Sequence, residues 1–216
     1  MISPRGRLTS DLASLHVLTG NSSAFGRNYL DIATAALTGG ARVIQLRDKT
    51  KQVAELIDIG HQLRRLTRDH GALLIVNDHI NLALHIDADG VHVGQSDMRA
   101  KDVRRFLGAD KLLGVSARTI EEAEQAEADG ADYIGWGPVF VTPSTSDSVE
   151  STGLDALWRA SDVVSIPLIA IGGIDATTID GVLAAGASGV AVVSAVLSAL
   201  DIELATRQLV ADRFAL

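Results

Sequence analysis

Residues 71–94 read GALLIVNDHINLALHIDADGVHVG and contain one complete unit of the fold. An apolar run, Leu73–Val76, is followed by Asn77 and Asp78, by a helix that we expect to begin at Ile80, and by a second apolar run, Gly90–Val93. Two short apolar runs joined by a helix predict parallel strands in a right-handed βαβ unit. This segment therefore predicts a parallel sheet.

The same alternation extends from this segment toward both ends of the chain. Eight apolar runs are candidate strands: Leu15–Thr19, Val43–Gln45, Leu73–Val76, Gly90–Val93, Leu112–Val115, Tyr133–Gly135, Leu168–Ile171 and Gly189–Val193. The stretches between them are amphipathic, as in Tyr29–Leu37, Val53–Thr67, Ala100–Phe106 and Ile120–Ala128. Eight units in 216 residues predict an α/β protein of the (β/α)8 barrel type rather than an open sheet. We expect a single domain over residues 1–216.

Glycine recurs where a helix ends just before a strand. The four tripeptides are Gly39-Gly40-Ala41, Ala88-Asp89-Gly90, Asp129-Gly130-Ala131 and Ala185-Gly186-Ala187. A glycine at such a point is expected to adopt the left-handed conformation that ends the helix. These glycines indicate the fold and not the chemistry.

The composition excludes several classes of function. The net charge of −8, without a basic stripe, argues against a nucleic-acid partner. The chain has no cysteine, which excludes disulfides, thiol chemistry and Cys-ligated zinc. The two arginines of Met1–Ser10 are followed by no apolar segment, and no apolar run has the length of a membrane span. We therefore expect a cytoplasmic protein that binds no membrane; a homo-oligomer is compatible with the sequence.

The candidate site residues follow the predicted strands, where (β/α)8 barrels carry their reactive groups. After the second strand, alternation puts Gln45, Arg47 and Lys49 on one side. The residues that follow the other strands are Asn77, Asp78, Asp97, Ser116, Gly137-Pro138, Gly172-Gly173 and Val193-Ser194. Cations and glycine-rich turns suit a phosphate, and two neighbouring carboxylates suit Mg²⁺ shared with that phosphate.

Each of these residues alone has a simpler interpretation. Asp78 could cap the helix that begins at Ile80, and Gly172-Gly173 could form a tight turn. We expect His92 to be a polar residue packed near the barrel end and Trp136 to be a packing residue. The functional interpretation depends on all the candidates meeting at one rim.

Seven motifs together resemble a known family over nearly the whole chain. In order they are QLRDK from Gln45, VND from Val76, DGVHVGQSD from Asp89, GVS from Gly114, GPVF from Gly137, IAIGGI from Ile169 and GVAVVS from Gly189. The set resembles the thiamine phosphate synthase family, although each motif alone is weak. That family joins hydroxymethylpyrimidine diphosphate to a thiazole phosphate and releases pyrophosphate.

The resemblance implies a role for each candidate. The pyrimidine diphosphate would be held by Gln45, Arg47, Lys49, Asn77 and Ser116, with Arg47, Lys49 and Ser116 taking part in catalysis. The cofactor Mg²⁺ would be bound by Asp78 and Asp97. The thiazole phosphate would be bound by Thr142, Ser144, Gly173, Val193 and Ser194, and Thr145 belongs to the same loop.

Two departures from the family pattern stand out. The family loop usually reads TPTKP, with a lysine that reaches the pyrophosphate, whereas Thr145 stands at that position here. The first strand ends in Leu18-Thr19-Gly20, where the family often has an acidic residue. A hydroxyl cannot neutralise the charge of a leaving group, so the Thr145 substitution predicts slower turnover.

Two alternatives remain open from the sequence. A thiazole tautomerase-like relative would share the barrel but would not need Asp78, Asp97 or the cations, and Arg118 stands near where that relative carries a catalytic histidine. A catalytically weak or inactive ligand-binding protein is favoured by Thr145, unless Arg118 or another group supplies the missing cation.

Overall fold

A computed structural model describes residues 11–20, 26–142 and 150–214. Its strands form a closed barrel in chain order, with every neighbouring pair parallel and the last strand paired with the first. The strands are β1 Leu15–Leu18, β2 Val43–Leu46, β3 Leu73–Asn77, β4 Gly90–Val93, β5 Leu112–Ala117, β6 Tyr133–Trp136, β7 Leu168–Ile171 and β8 Gly189–Val192. The predicted (β/α)8 barrel is confirmed.

Helices connect the strands around the outside of the barrel. In the described part of the chain they are α1 Tyr29–Thr38, α2 Val53–Asp69, α3 Ile80–His85, α4 Ala100–Leu107, α5 Ile120–Ala128, α6 Gly153–Val163, α7 Ile179–Ala184, α8 Ser194–Leu197 and α9 Ile202–Val210. Within these ranges, no helix combines the length and the apolar composition that a membrane span requires.

The apolar core has two layers because alternate strand residues point to opposite faces of the sheet. The outer layer lies between strands and helices and includes Val91, Val93 and Trp136. The inner layer fills the barrel and includes Leu73 and Tyr133. Trp136 is 1% exposed, so the expected packing role is confirmed.

Glycines end helices as expected in three of the four predicted places. Gly40, Gly130 and Gly186 have φ angles of 104°, 93° and 95°. The prediction for Ala88-Asp89-Gly90 was wrong, because the left-handed residue before β4 is Asp87, with φ 53°. Gly90 is instead the first residue of β4, where a Cβ atom would overlap the carbonyl oxygen of Leu112 on β5. Glycine there allows the two strands to approach closely.

The rim at the N-terminal ends of the strands is held by paired charges. Arg64 donates two hydrogen bonds to Asp89, at 2.7 and 2.9 Å, and Asp89 also accepts one from the Leu74 amide at 2.8 Å. The second pair has the same form: Arg104 donates to Asp132 at 2.6 Å, and the Leu113 amide donates to it at 2.8 Å. Each carboxylate thus joins a helix to the start of a strand.

Candidate active site

A cavity of about 220 Å³ opens at the C-terminal ends of the strands. Most of the residues predicted from the sequence line it: Gln45, Arg47, Asn77, Ser116, Thr142, Gly173, Val193 and Ser194. Ser144 and Thr145 lie outside the described residues. Residues that are far apart in the chain therefore meet around one mouth, as the strand-end positions predict.

The loop after β2 has a backbone fixed on one side by Thr19. The Thr19 hydroxyl accepts a hydrogen bond from the Arg47 amide at 3.0 Å and donates one to the Arg47 carbonyl at 3.2 Å. The Thr19 amide also donates to the Gln45 carbonyl at 3.0 Å. Thr19 is fully buried, so water does not compete for these bonds. The atypical residue at the end of β1 thus orients the backbone that carries Arg47.

Asp48 fixes the other side of the same loop. Its carboxylate accepts hydrogen bonds from the Thr50 amide at 2.7 Å, the Thr50 hydroxyl at 2.6 Å, the Lys51 amide at 3.0 Å and the Tyr29 hydroxyl at 2.5 Å. Burial opposes the ionisation of Asp48, but these hydrogen bonds outweigh it and lower its pKa. The loop that carries the two cations, Arg47 and Lys49, is therefore held by hydrogen bonds within the protein.

Two carboxyl groups meet beside these cations. Asp78 has a left-handed backbone, with φ 63°, and its amide donates to the His92 carbonyl at 2.8 Å. Asp97 is held by the Gly94 amide, which donates to its carboxylate at 2.7 Å. The side chains of Asp78 and Asp97 share a hydrogen bond. Asp78 does not cap the following helix, because His79 is the N-cap residue of α3.

The proximity of the two carboxyl groups changes the ionisation of Asp78. Burial, the hydrogen bond with Asp97 and the charge of Asp97 raise the pKa of Asp78 to about 6, while Lys49 and Arg47 oppose the rise. Two carboxylates that repel each other are stabilised by a shared cation. No third His, Asp or Glu joins such a cluster within the described residues. The two carboxyl groups supply oxygen ligands of the kind that a hard divalent cation binds.

The opposite side of the cavity is formed by backbone that packs closely. Gly172 and Gly173 have φ angles of 101° and 65°. A Cβ atom on Gly173 would lie 2.7 Å from Phe140 Cβ and 2.9 Å from the Val141 carbonyl oxygen. The glycine pair is therefore a turn that also lets the loop after β6 approach the loop after β7.

Arg118 does not lie in the cavity wall. Arg118 is exposed and is not among the residues that line the cavity. Its backbone amide donates a hydrogen bond to the Glu122 carboxylate at 2.8 Å. Arg118 consequently gives no support to the expectation that it replaces the missing lysine.

The sequence analysis did not assign three polar lining residues on the inner face of the barrel to the site: His16, His92 and Tyr133. His92 is packed, as expected, but its Nε2 atom lies 2.9 Å from the Ser116 hydroxyl and its Nδ1 atom 3.1 Å from the Tyr133 hydroxyl. Alternation along β4 could have revealed this, because its neighbours Val91 and Val93 face the helices.

Comparison with known proteins agrees with this geometry. A family model described as thiamine monophosphate synthase matches residues 15–196. The chain belongs to the thiamine monophosphate synthase family. The family resemblance predicted from the motifs is therefore confirmed.

Curated relatives in this family align with this chain over nearly the full length of both proteins. The thiamine-phosphate synthase of Moorella thermoacetica is 47% identical over 195 residues, which cover 90% of this chain and 93% of the relative. The thiamine-phosphate synthase of Chloroflexus aurantiacus is 48% identical over 195 residues, covering 90% of each protein.

Solved structures match the barrel as well. The thiamine phosphate pyrophosphorylase from Pyrococcus furiosus is 37% identical with a TM-score of 0.85, covering 93% of this chain and 95% of that one. A 3-hexulose-6-phosphate synthase matches with a TM-score of 0.67 at 20% identity, covering 91% of this chain and 98% of that one. The second likeness shows the fold alone.

Proposed function

We propose that this protein joins 4-amino-2-methyl-5-hydroxymethylpyrimidine diphosphate to a thiazole phosphate, giving thiamine phosphate and pyrophosphate. The observation that carries the proposal is the carboxyl pair Asp78–Asp97 beside Lys49 and Arg47, of which Arg47 lines a cavity of about 220 Å³. A diphosphate with a bound divalent cation matches this combination of charges. The names of the curated relatives support the same reaction.

The two substrates would occupy opposite sides of the cavity. On one side, the pyrimidine diphosphate would contact the polar and cationic side chains Gln45, Arg47, Lys49, Asn77 and Ser116. On the other side, the thiazole phosphate would contact Thr142, Gly173, Val193 and Ser194, together with Ser144 and Thr145 of the loop outside the described residues. This arrangement would bring the pyrimidine methylene group close to the thiazole nitrogen.

The reaction breaks one bond and forms one. The bond between the methylene carbon and the diphosphate oxygen breaks, and its electron pair leaves with pyrophosphate. The thiazole nitrogen then donates its lone pair to the methylene carbon and forms the new C–N bond. No base has to remove a proton, so a site without a strong base or nucleophile is sufficient.

Catalysis would depend on stabilising the charge that develops on the leaving group. Arg47 and Lys49 lie on a loop that hydrogen bonds to Thr19 and Asp48 hold in place, and a fixed position of the charges is the condition under which electrostatic catalysis is effective. Asp78 and Asp97 would hold Mg²⁺, which neutralises part of the pyrophosphate charge when bound. Ser116 would contact the pyrimidine or the released pyrophosphate.

An assay of product formation tests the proposed reaction. Purified protein is incubated with both substrates and Mg²⁺, and thiamine phosphate and pyrophosphate are measured in parallel. Equal amounts of the two products support the proposal. Binding without any product would indicate an inactive ligand-binding protein, and isomerisation of a thiazole phosphate alone would indicate a tautomerase; either result contradicts the proposal.

Calorimetry tests the metal site separately. The pyrimidine diphosphate is titrated into the protein with Mg²⁺ and without it, and Asp97→Asn serves as the matched variant. We expect tighter binding with Mg²⁺ in the original protein and little Mg²⁺ effect in Asp97→Asn. Equal affinity in all these experiments would show that the two aspartates are structural.

Location in the cytoplasm, a homo-oligomer and one domain over the full chain stay predictions.

A further inference from the structure

A chain of hydrogen bonds leads from the barrel interior to the cavity. It joins Tyr133 on β6 to His92 on β4 at 3.1 Å, and His92 to Ser116 on β5 at 2.9 Å. Two glycines leave room for it. A Cβ atom on Gly114 would overlap the Tyr133 ring, and one on Gly135 would lie 2.7 Å from His92 Cε1. The space for the histidine ring therefore depends on the two glycines of the neighbouring strands β5 and β6.

The His92 ring is buried, and each of its two nitrogens faces one hydroxyl group, that of Tyr133 or that of Ser116. Burial, which lowers the pKa of His92 to about 4, favours the neutral ring; the interaction with His16 acts in the same direction, Asp97 opposes it and Arg47 reinforces it. A neutral imidazole has one N–H donor and one acceptor nitrogen. The two hydrogen bonds of His92 therefore run in the same direction along the chain.

Tyr133 sets that direction. Tyr133 is 1% exposed, and among the described residues His92 Nδ1 is the hydrogen-bond partner of its hydroxyl. If Nδ1 carried the proton, the buried phenol proton would lose its acceptor, which is unfavourable. The phenol therefore donates to Nδ1, and Nε2–H donates to the Ser116 hydroxyl oxygen.

The backbone of Ser116 is held as well. Its carbonyl accepts a hydrogen bond from the Gln95 amide group at 2.6 Å, so the residue is fixed on both sides. With its hydroxyl oxygen accepting from His92, the one proton of Ser116 is left to point into the cavity.

We propose that His92 is a positioning residue that makes Ser116 a hydrogen-bond donor toward the substrate. The site then selects a ligand with an acceptor atom at this point, such as a ring nitrogen of the pyrimidine or an oxygen of the diphosphate. The identity of the ligand rests on the proposed function, whereas the direction of the hydrogen bonds is a property of the free protein.

Nitrogen NMR of the free protein tests the direction. The protein is labelled uniformly with ¹⁵N, and the His92 signals at pH 7 are assigned by their loss in His92→Gln. We expect His92 to be neutral with the proton on Nε2, and this preference to weaken in Tyr133→Phe. A proton on Nδ1, a charged ring, or an unchanged tautomer in Tyr133→Phe would overturn the inference.

A double-mutant cycle tests the action through Ser116. Tyr133→Phe is measured in the original protein and in Ser116→Ala, with kcat/KM for the pyrimidine diphosphate as the readout. We expect a loss of about two- to tenfold in the original protein, the size of one hydrogen bond, and no further loss in Ser116→Ala. Equal losses in both backgrounds would mean that Tyr133 only supports packing, and the inference would be wrong.

A pair of His92 variants gives a second comparison. The amide of His92→Gln can still donate to Ser116, so this variant should retain more activity than His92→Leu. Equal activity of two folded variants would contradict the positioning role. Should His92→Leu fail to fold, the Tyr133→Phe cycle still decides.

The two proposals fail in different ways. If the protein forms no thiamine phosphate, the proposed function fails, and the NMR measurement still decides the direction of the hydrogen bonds. If product forms but the cycle is additive, only the inference about His92 fails.

Discussion

Asp89 stands directly before β4 and Asp97 follows shortly after it, so one strand carries a carboxylate at each end of the barrel. Asp89 accepts two hydrogen bonds from Arg64 and one from the Leu74 amide. Asp97 faces another carboxyl group, that of Asp78, and burial together with the proximity of Asp97 raises the pKa of Asp78 to about 6. The same residue type is neutralised at one rim and placed against a like charge at the other.

The difference separates stability from binding. Charges that are paired within the protein hold helices to strands and have little capacity left for a ligand. In the described part of the chain, the ion pairs do not include Arg47 or Lys49, although both act on Asp78. A rim with unpaired cations and neighbouring carboxylates is stabilised when an anion and a metal ion bind, because each charge then has a partner of opposite sign.

The largest expected effect concerns the paired rim. Arg104→Met removes the ion pair of 2.6 Å with Asp132, whose side chain is 3% exposed. We expect the free energy of unfolding to fall by about 3–5 kcal/mol, measured by urea denaturation, with kcat of the folded protein unchanged.

Arg105→Met is the matched control, because the Arg105 side chain is 81% exposed and should contribute less than about 1 kcal/mol. A loss of kcat in Arg104→Met without a loss of stability would break the comparison between the rims.

The second prediction applies the same kind of change to the cavity rim. Arg47→Gln should lower kcat/KM by about 100- to 1,000-fold, or about 2.7–4 kcal/mol, because it removes a cation from the leaving group. The free energy of unfolding should change by no more than about 0.5 kcal/mol. Arg118→Gln, an exposed arginine outside the cavity wall, is the control and should keep its activity. If Arg47→Gln lowered the free energy of unfolding but retained turnover, Arg47 would belong to the residues that stabilise the fold and not to the catalytic ones.

The third prediction concerns His16, which lies inside the barrel. Burial lowers its pKa to about 4, although a hydrogen bond with the Leu12 carbonyl opposes the shift. Because the unfolded chain binds the proton more tightly, the stability from His16 is present above about pH 6.5 and is lost as the pH falls through about 4. At about 1.36 kcal/mol per pKa unit, this loss is about 3 kcal/mol.

The measurement is the free energy of unfolding between pH 7 and pH 4. His16→Gln cannot be protonated in this range and should lose less stability on acidification than the original protein. Parallel curves for the two proteins would show that His16 is not the acid-sensitive group.

The smallest expected effect comes from adding a charge to the segment that follows Thr142. Thr145→Lys should raise single-turnover rates by about tenfold to a few hundredfold, or about 1.4–3.5 kcal/mol, because it supplies a cation where leaving-group charge develops. Ser146→Lys adds the same charge one residue away and should give a smaller gain. If the original protein already has a high single-turnover rate and Thr145→Lys does not raise it, catalysis does not need a lysine in this loop.

Much of the site could be predicted because a parallel barrel brings all its strand ends together. Gln45, Asn77 and Ser116 were found by their positions after strands, without any knowledge of contacts. The role of Asp87 before β4 was missed, because a left-handed aspartate is rarer than a left-handed glycine. His92 was also underestimated, because its partners come from β5 and β6, and their identity depends on strand register.

The sequence by itself determined the barrel and the set of side chains at its mouth, because alternation and strand-helix spacing are local properties. Only the tertiary structure decided how those side chains are held. Thr19 meets Arg47 across 28 residues and Tyr133 meets His92 across 41, and no local pattern specifies such hydrogen bonds. The tertiary structure also brought Asp78 against Asp97, since the pKa of a carboxyl group depends on burial and on neighbouring charges that only the folded chain provides.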